Sequence, residues 1–396
     1  MEQLYRYLQE GYEEMVDLRR HLHQHPELSF EEVETPKLIA KFHEKLGHDV
    51  RTNVGENGVV ATLKGAKPGP TVALRADFDA LPIQEENEHP FKSTVDGVMH
   101  ACGHDGHTAS LLGLAKAFNR LQDELAGNIV FIHQHAEELP PGGAIAMIED
   151  GCLEGVDVIF GTHLWATHPL GEIGYRAGAF MAAPDRFDIK VLGHGGHGAE
   201  PELTKDSIAI AGQLIVNLQQ VVSRRVRPLD AAVVSICSIE AKNPYNIIAD
   251  SVSLTGTVRS FDEGVRTHIE EEIGRIVKGT CLAADANYDY QFTRGYPATV
   301  NHEAETAFLA NIAQLAPSVH AVKEYEPQMG GEDFAYYLQH VKGTFFFTGA
   351  AIEQRESYPH HHPKFDFDER ALLTAAEVLG TATLQYMKEN PMNKGE

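Results

Sequence analysis

An α/β protein with a mainly parallel central sheet, carrying an inserted α+β domain of ferredoxin-like pattern, is the fold the sequence predicts. Three observations predict it. Short β-rich apolar runs alternate with helix-period segments on both sides of the chain's middle. Near Ala182-Ala183-Pro184 the pattern changes to the order β-α-β-β-α-β. The chain has 396 residues, more than one compact core ordinarily organises. The expected domains are 1–183 with 296–396, and 184–295 between them.

The elements follow in order. Leu4, Leu8, Tyr12, Met15, Val16 and Leu22 recur at helical spacing, and Pro26 stops that helix. Val59 to Leu63 and Val72 to Leu74 read as strands bounded by Gly and Pro. Leu111, Leu112, Leu114, Ala115, Phe118 and Leu121 form one face of a helix. Ile129 to Ile132 and Val156 to Phe160 are two further strands. In the insert, Phe187 to Leu192, Ala232 to Ile239, Val252 to Val258 and Tyr288 to Phe292 read as strands. Helices at Ile208 to Val222 and around Val265 to Val277 separate them. A strand at Thr344 to Phe347 and a helix near Ala371 to Tyr386 complete the outer domain.

Composition narrows the function. With 33 basic and 57 acidic residues the net charge is −24, a field that repels phosphate backbones and anionic lipid. Nucleic-acid and membrane partners are therefore not expected, and a bound cation is favoured. No apolar run approaches the roughly 20 residues that span a bilayer, and no secretory leader is visible, so a cytoplasmic location is expected. The four cysteines form no C-x-x-C pair and read as reduced thiols. Cys152, Cys237 and Cys281 sit among apolar neighbours and read as core.

The 22 histidines cluster. The stretches are His100-Ala101-Cys102-Gly103-His104-Asp105-Gly106-His107, His133-Gln134-His135-Ala136-Glu137-Glu138, Gly161-Thr162-His163-Leu164-Trp165 and His360-His361-His362. Asp77 and Asp79, Glu137 and Glu138, and His163 each follow a strand. Ligands in open α/β sheets sit beyond the carboxyl ends of strands. Thiolate and imidazole suit zinc-like ions, and carboxylates extend the choice to manganese. Of two adjacent glutamates, one can ligate while the other acts as a base.

Each cluster alone also reads without chemistry. His360 to His362 fits a solvated tract, and Glu137-Glu138 fits the acidic start of a helix. Cys102 with a distant histidine fits a nucleophile. The joint placement at strand ends favours the metal site. In the insert, Gly193-His194-Gly195-Gly196-His197-Gly198 reads as a flexible loop presenting a histidine. It lacks the Lys-Ser/Thr ending of a P-loop. Arg259, ending a strand, reads as a surface arginine or as a bidentate clamp on a carboxylate.

With these stretches in view, the chain resembles the M20 metallopeptidase family, subfamily D, over essentially its whole length. That group includes N-acyl-amino-acid deacylases, hippurate hydrolases and auxin-conjugate hydrolases. Further carrying stretches are Arg19-Arg20-His21-Leu22-His23-Gln24-His25-Pro26-Glu27-Leu28-Ser29, Leu74-Arg75-Ala76-Asp77-Phe78-Asp79-Ala80-Leu81-Pro82, Gly330-Gly331-Glu332-Asp333-Phe334 and His361-His362-Pro363-Lys364-Phe365-Asp366.

The resemblance implies a zinc-peptidase-like catalytic domain whose insert is a lid and dimerisation domain. It implies two divalent ions, manganese or zinc with cobalt or nickel as alternates. On matching positions the ligands are Cys102, His104, Glu138, His163 and His361. Glu137 is the general base toward a metal-activated water, and Asp79 supports the ligands from behind. His197, Asn246 and Arg259 match substrate-binding positions of the lid, and His197 acts in the family toward a partner subunit. The lid departs from the subfamily at Pro201-Glu202 and at Asn246-Ile247-Ile248-Ala249-Asp250. The implied reaction cleaves the amide of an N-acyl amino acid or related small conjugate, in a homodimer or higher homo-oligomer. A dipeptidase, or a non-catalytic metal- or ligand-binding protein on the same fold, stands as the alternative.

Overall fold

The computed structural model describes residues 1–353 and 355–391. Along the first part of the chain run α1 (Glu2–Glu10), α2 (Tyr12–Gln24), α3 (Glu34–Lys45), β1 (Asp49–Val54), β2 (Gly58–Lys64), β3 (Lys67–Asp77), α4 (His104–Asn119), β4 (Ala126–Gln134), α5 (Ala144–Glu149), β5 (Val158–Trp165), β6 (Glu172–Tyr175) and β7 (Gly178–Met181). Then follow β8 (Ala183–Leu192), β9 (Gly196–His197), α6 (Ser207–Leu218), β10 (Ala232–Glu240), β11 (Ile247–Ile248), β12 (Ser251–Ser260), α7 (Glu263–Ala283) and β13 (Asn287–Thr293). The chain closes with β14 (Thr299–Asn301), α8 (Glu303–Ala313), β15 (Ala321–Glu324), α9 (Phe334–His340), β16 (Gly343–Gly349) and α10 (Arg370–Glu389).

Two compact units result. The first comprises Met1–Gly178, Val300–Glu326 and Asp333 onward; the second comprises Ala179–Thr299 with Pro327–Glu332. The sequence placed the insert at 184–295 and did not foresee the return at 327–332.

In the first unit an eight-stranded sheet runs β1-β2-β4-β3-β5-β16-β6-β15. Its middle is parallel: β4 with β3, β3 with β5, and β5 with β16. β1, β2 and the β6/β16 pairing are antiparallel. In register, Asp77 lies opposite Gln134 and Arg75 opposite Gly161. The chain therefore leaves β3, β4 and β5 at one edge. The core packs Leu74, Phe131 and Phe160 of the sheet against Leu111, Leu114 and Phe118 of α4 and Leu372, Ala375 and Leu379 of α10. These side chains come from apolar runs buried on both faces, as central parallel strands require.

Arg19 of α2 is fully buried. It donates to Asp105 at 2.9 Å, Asp366 at 2.9 Å and Glu369 at 3.2 Å. That network ties α2 to the start of α4 and to the segment before α10. The single helix expected over the first 25 residues is two, broken at Gly11, whose N–H is shared between the Tyr7 and Leu8 carbonyls.

The second unit is a four-stranded antiparallel sheet in the order β10-β12-β8-β13. That strand order, with α6 and α7, is the ferredoxin-like arrangement. Asp206 caps α6 through the amides of Ile208 and Ala209, and Asp262 caps α7 through that of Val265. Its core holds Phe187, Ile189, Leu214, Leu254, Ile269 and Ile273. Cys237 is exposed rather than core. It falls at a bulge in β10, an edge strand, next to Ile236, which packs on the core of this unit.

Candidate metal centre

β3, β4 and β5 deliver the site to their common carboxyl edge. β3 ends at Asp77, and Asp79 follows two residues on. β4 ends at Gln134, so Glu137 and Glu138 stand in the loop beyond. His163 lies inside β5 rather than after it, because pairing with Phe347 of β16 prolongs the strand. Gly103 takes φ +93, which glycine reaches without strain, and stands between Cys102, just before α4, and His104, the first residue of α4. His361 precedes α10, and its N–H is fixed by the Ala101 carbonyl at 2.8 Å.

Ligating atoms converge in overlapping groups. Those of Cys102, His104 and His163 lie within 4.8 Å of one another, as do those of Cys102, Glu138 and His361, and those of His104, Glu137 and Glu138. Cys102 Sγ is 3.4 Å from His163 Nε2, and His361 Nε2 is 3.3 Å from Glu138 Oε2. The first two of these groups share Cys102.

The histidine tautomers are set from behind. His104 Nδ1 faces the Asp79 carbonyl at 3.0 Å and the Asp79 carboxylate at 3.1 Å. His163 Nδ1 faces the Leu164 carbonyl at 2.9 Å. Both partners only accept, so each Nδ1 carries a hydrogen and each Nε2 points inward. Asp79 also accepts the Glu138 N–H at 2.9 Å and the Ser29 hydroxyl at 2.7 Å. One carboxylate thus fixes a histidine and the backbone of the adjacent glutamates.

The donor set fits a cation. His104 Nε2 and Glu138 Oε1 are buried polar atoms without a hydrogen-bond partner. Burial opposes charge on His104, yet the Asp77 and Asp79 carboxylates push it up to about 10. Burial, with the nearby Glu138 and Glu137 carboxylates, holds the Cys102 thiol well above its usual value. Without a cation that thiol is a poor nucleophile, which removes the attraction of a cysteine–histidine mechanism. A divalent ion would reverse both tendencies, since a coordinating thiol is deprotonated outright.

Several supporting residues escaped the sequence reading. His107 Nδ1 meets Asp77 at 2.6 Å, and its Nε2 accepts the Leu164 N–H at 2.9 Å beside the His163 ring. Arg75 joins Asp77 at 2.5 Å to Asp333 at 2.8 Å, and Gln134 donates to the same Asp333. Burial raises the Asp333 carboxyl to about 6 despite Arg75. Glu32, 2% exposed, accepts the Ala136 N–H at 2.9 Å and the Asn57 amide at 3.0 Å. Burial lifts its carboxyl to about 7. A charged residue spaced within an apolar strand, as Arg75 is in β3, was the one signal available for these. His360 is not part of a solvated tract: its ring packs on Trp165 and Phe365, with Nε2 2.9 Å from the Leu164 carbonyl. His361 alone of the pair is exposed.

The second unit holds the other three candidates. His197 is exposed on β9 and pairs with Ile247 of β11, and the Gly198 N–H donates to the Asn246 carbonyl at 2.8 Å. His197 and Asn246 are thus neighbours. The glycine loop before them is tied down, with Gly193 N–H on the Asp250 carbonyl at 2.8 Å and Gly195 N–H on the Asp250 carboxylate at 2.7 Å. Arg259 donates to the Met329 carbonyl at 3.0 Å and the Val258 carbonyl at 2.9 Å, and it also meets Thr257. Burial lowers its guanidinium from the ordinary value.

Residues 73–385 match the model of peptidase family M20/M25/M40. The chain belongs to this family. It is 60% identical over 376 residues, 95% of each chain, to YhaA of Bacillus subtilis (strain 168), named provisionally as an amidohydrolase. It is 48% identical over 302 residues, 76% of this chain and 82% of the other, to an N-acyl-L-amino acid amidohydrolase of Geobacillus stearothermophilus. Among solved structures, Bacillus subtilis YXEP, described as a dinuclear metal binding peptidase from the M20 family, superposes with a TM-score of 0.83 at 36% identity. The alignment covers 96% of this chain and 99% of that one. The M20 chain described here is a hydrolase of the amidohydrolase kind.

Proposed function

We propose that this M20 chain hydrolyses the amide bond of N-acyl amino acids, or of related small amino-acid conjugates, with two divalent ions. The observation that carries the reading is the convergence of Cys102, His104, Glu138, His163 and His361, with His104 Nε2 and Glu138 Oε1 facing each other at 3.8 Å without a hydrogen bond. One ion would be held by Cys102, His104 and His163, the other by Cys102, Glu138 and His361. When bound, such ions acidify water and polarise a carbonyl.

Glu137 is the general base in this scheme. It is 6% exposed and stands with Glu138 against His104 Nε2. It takes the proton of the attacking water and returns it to the leaving amine. Recognition of the substrate carboxylate is assigned to Arg259 and Asn246, and oxyanion stabilisation to His197. The thiol in the ligand set favours zinc by softness, and the carboxylate favours manganese.

The inserted unit is assigned as a lid and as the contact between copies in a homodimer. Supporting this, Ile208 and Val216 of α6 and Leu282 of α7 are exposed apolar side chains. Sedimentation equilibrium checks it: a monomer that retains full turnover would remove any role for His197 across subunits.

The deciding experiment is a screen on chelator-stripped protein. N-acetyl and N-benzoyl amino acids are compared with dipeptides after restoring Mn²⁺, Zn²⁺ or Co²⁺ in turn. Metal-restored cleavage of the N-acyl substrates is expected. Turnover of dipeptides alone makes the chain a dipeptidase, and tight metal binding without turnover makes it a binding protein.

A further inference from the structure

Ala136 sits in a conformation that its side chain disfavours. Its φ is +52, in the left-handed region where a Cβ crowds the backbone and glycine is the ordinary occupant. Such a residue persists only where its surroundings over-determine it. Here they do. The Ala136 N–H donates to Glu32 at 2.9 Å, and its carbonyl accepts the Gly143 N–H at 3.2 Å. Two residues later the Glu138 N–H is held by Asp79 at 2.9 Å. Glu137 therefore lies between two amides, each gripped by a buried carboxylate.

Glu32 is itself fixed. Its second oxygen accepts the Asn57 amide at 3.0 Å. The loop that carries it, between α2 and α3, is anchored at Glu27, which accepts the amides of Glu34 and Thr35. The Glu27 carbonyl takes the Ala80 N–H at 2.8 Å, beside Asp79. The Phe30 ring stacks edge-on against His135. Among the described residues no hydrogen bond or ion pair joins Glu32 to the converging ligands, and the proposed chemistry gives it no role of its own.

We infer that Glu32 is a positioning residue for catalysis: by holding the Ala136 amide it keeps the strained turn that aims the Glu137 carboxylate at its proton. This rests on the reading of Glu137 as the general base. The physical reason is that the direction of a side chain follows from the two peptide planes flanking it. Losing the grip at Ala136 would let that turn relax toward conformations a Cβ prefers. A misplacement of the base on the order of 1 Å costs about a hundredfold in rate.

The test is a double-mutant cycle between Glu32→Ala and Ala136→Gly, read on metal-loaded enzyme with an N-acyl amino acid that it turns over. Glu32→Ala should lower kcat roughly 10- to 100-fold, with KM shifted less than about threefold and metal content unchanged. Glu32→Gln should recover most of this loss, because its amide oxygen still accepts the N–H and the Asn57 amide can rotate to match. Ala136→Gly alone should cost about threefold, since glycine reaches this conformation freely but others as well. In the Glu32→Ala background Ala136→Gly should instead raise kcat, by about fivefold or more, since the strain that Glu32 opposed is gone.

A kcat for Glu32→Ala within twofold of the parent overturns the inference, as does a double variant no faster than Glu32→Ala. If Glu32→Ala does not fold, Glu32→Asp takes its place in the same cycle, keeping a carboxyl but withdrawing the acceptor by one methylene. Glu137→Gln is measured alongside. Full activity there would sink the base assignment whatever Glu32 does. An inactive Glu137→Gln with an unaffected Glu32→Ala would sink the positioning role alone.

Discussion

In the first unit, His104, Asp79 and Glu137 are enclosed: the Asp79 carbonyl and carboxylate face the His104 ring, and the amides on either side of Glu137 are held by Glu32 and Asp79. In the second, His197 and Asn246 are exposed on a two-stranded pair, and only Arg259 is partly enclosed. The difference follows from the work proposed for each region. Proton transfer and ion binding depend on fixed geometry in a low-dielectric setting, where fixed groups lose nothing to reorganisation. Groups that meet a soluble substrate must first be open to water. The first region should therefore respond to small changes of shape, the second to changes of charge or reach.

The largest expected effect is at the base. Glu137→Gln should reduce turnover by about 10³- to 10⁴-fold while metal content, by elemental analysis, stays at the parent level. Near-normal turnover would break the contrast at its strongest point. Next is Asp79→Asn, which disturbs the groups behind both His104 and Glu138. Metal affinity, measured by competition with a chromogenic chelator, should fall about 10- to 100-fold. Unchanged affinity would mean that the enclosure does not set the ligands.

A smaller effect belongs to the second region. Arg259→Ala should raise KM for N-acyl amino acids by about tenfold, the loss of one charged hydrogen bond, with kcat less affected. A variant acting on kcat alone would give Arg259 a different role. An uncharged ester of the same substrate should show little difference between Arg259→Ala and the parent.

A further effect, on stability rather than on turnover, concerns the penalty of enclosure itself. His43, His48 and His133 lie in contact beside Phe131, with His43 nitrogens 2.9 Å from His48 and 3.0 Å from His133. Burial, reinforced by the neighbouring imidazoles, lowers His43 to about 2, and burial lowers His133 to about 3. These folded values lie below the unfolded value, so the unfolded chain binds the additional protons. Stability is then complete above about pH 6.5 and is lost as pH falls toward 3, by up to about 1.4 kcal/mol per pH unit for each site. Urea midpoints at pH 7 and pH 5 check this. His133→Gln should flatten the slope, and an unchanged slope would assign it elsewhere.

Much of this protein was legible in its sequence because the signals are local. Apolar periodicity is set by residues a few positions apart, so the strands at Val72 to Leu74 and Ile129 to Ile132 and the helix around Leu111 to Leu121 could be read directly. The residue types at Cys102, His104, Glu137, Glu138, His163 and His361 suggested by their chemistry the cation site proposed above, and the family resemblance assigned their roles. Gly11 breaking a helix and Cys237 standing exposed were not legible. Both depend on which neighbour a face meets, and in neither case does the local pattern say.

What tertiary structure alone decided is which distant groups share a bond. Glu32 meets Ala136 across 104 residues, and Arg75 meets Asp333 across 258. An acid in a loop looks like a solvated acid until the chain closes over it. The sequence determined the kinds of atom available and the elements that carry them. Only the folded chain, by bringing buried donors to buried acceptors where water cannot compete, decided which of them hold the site in shape.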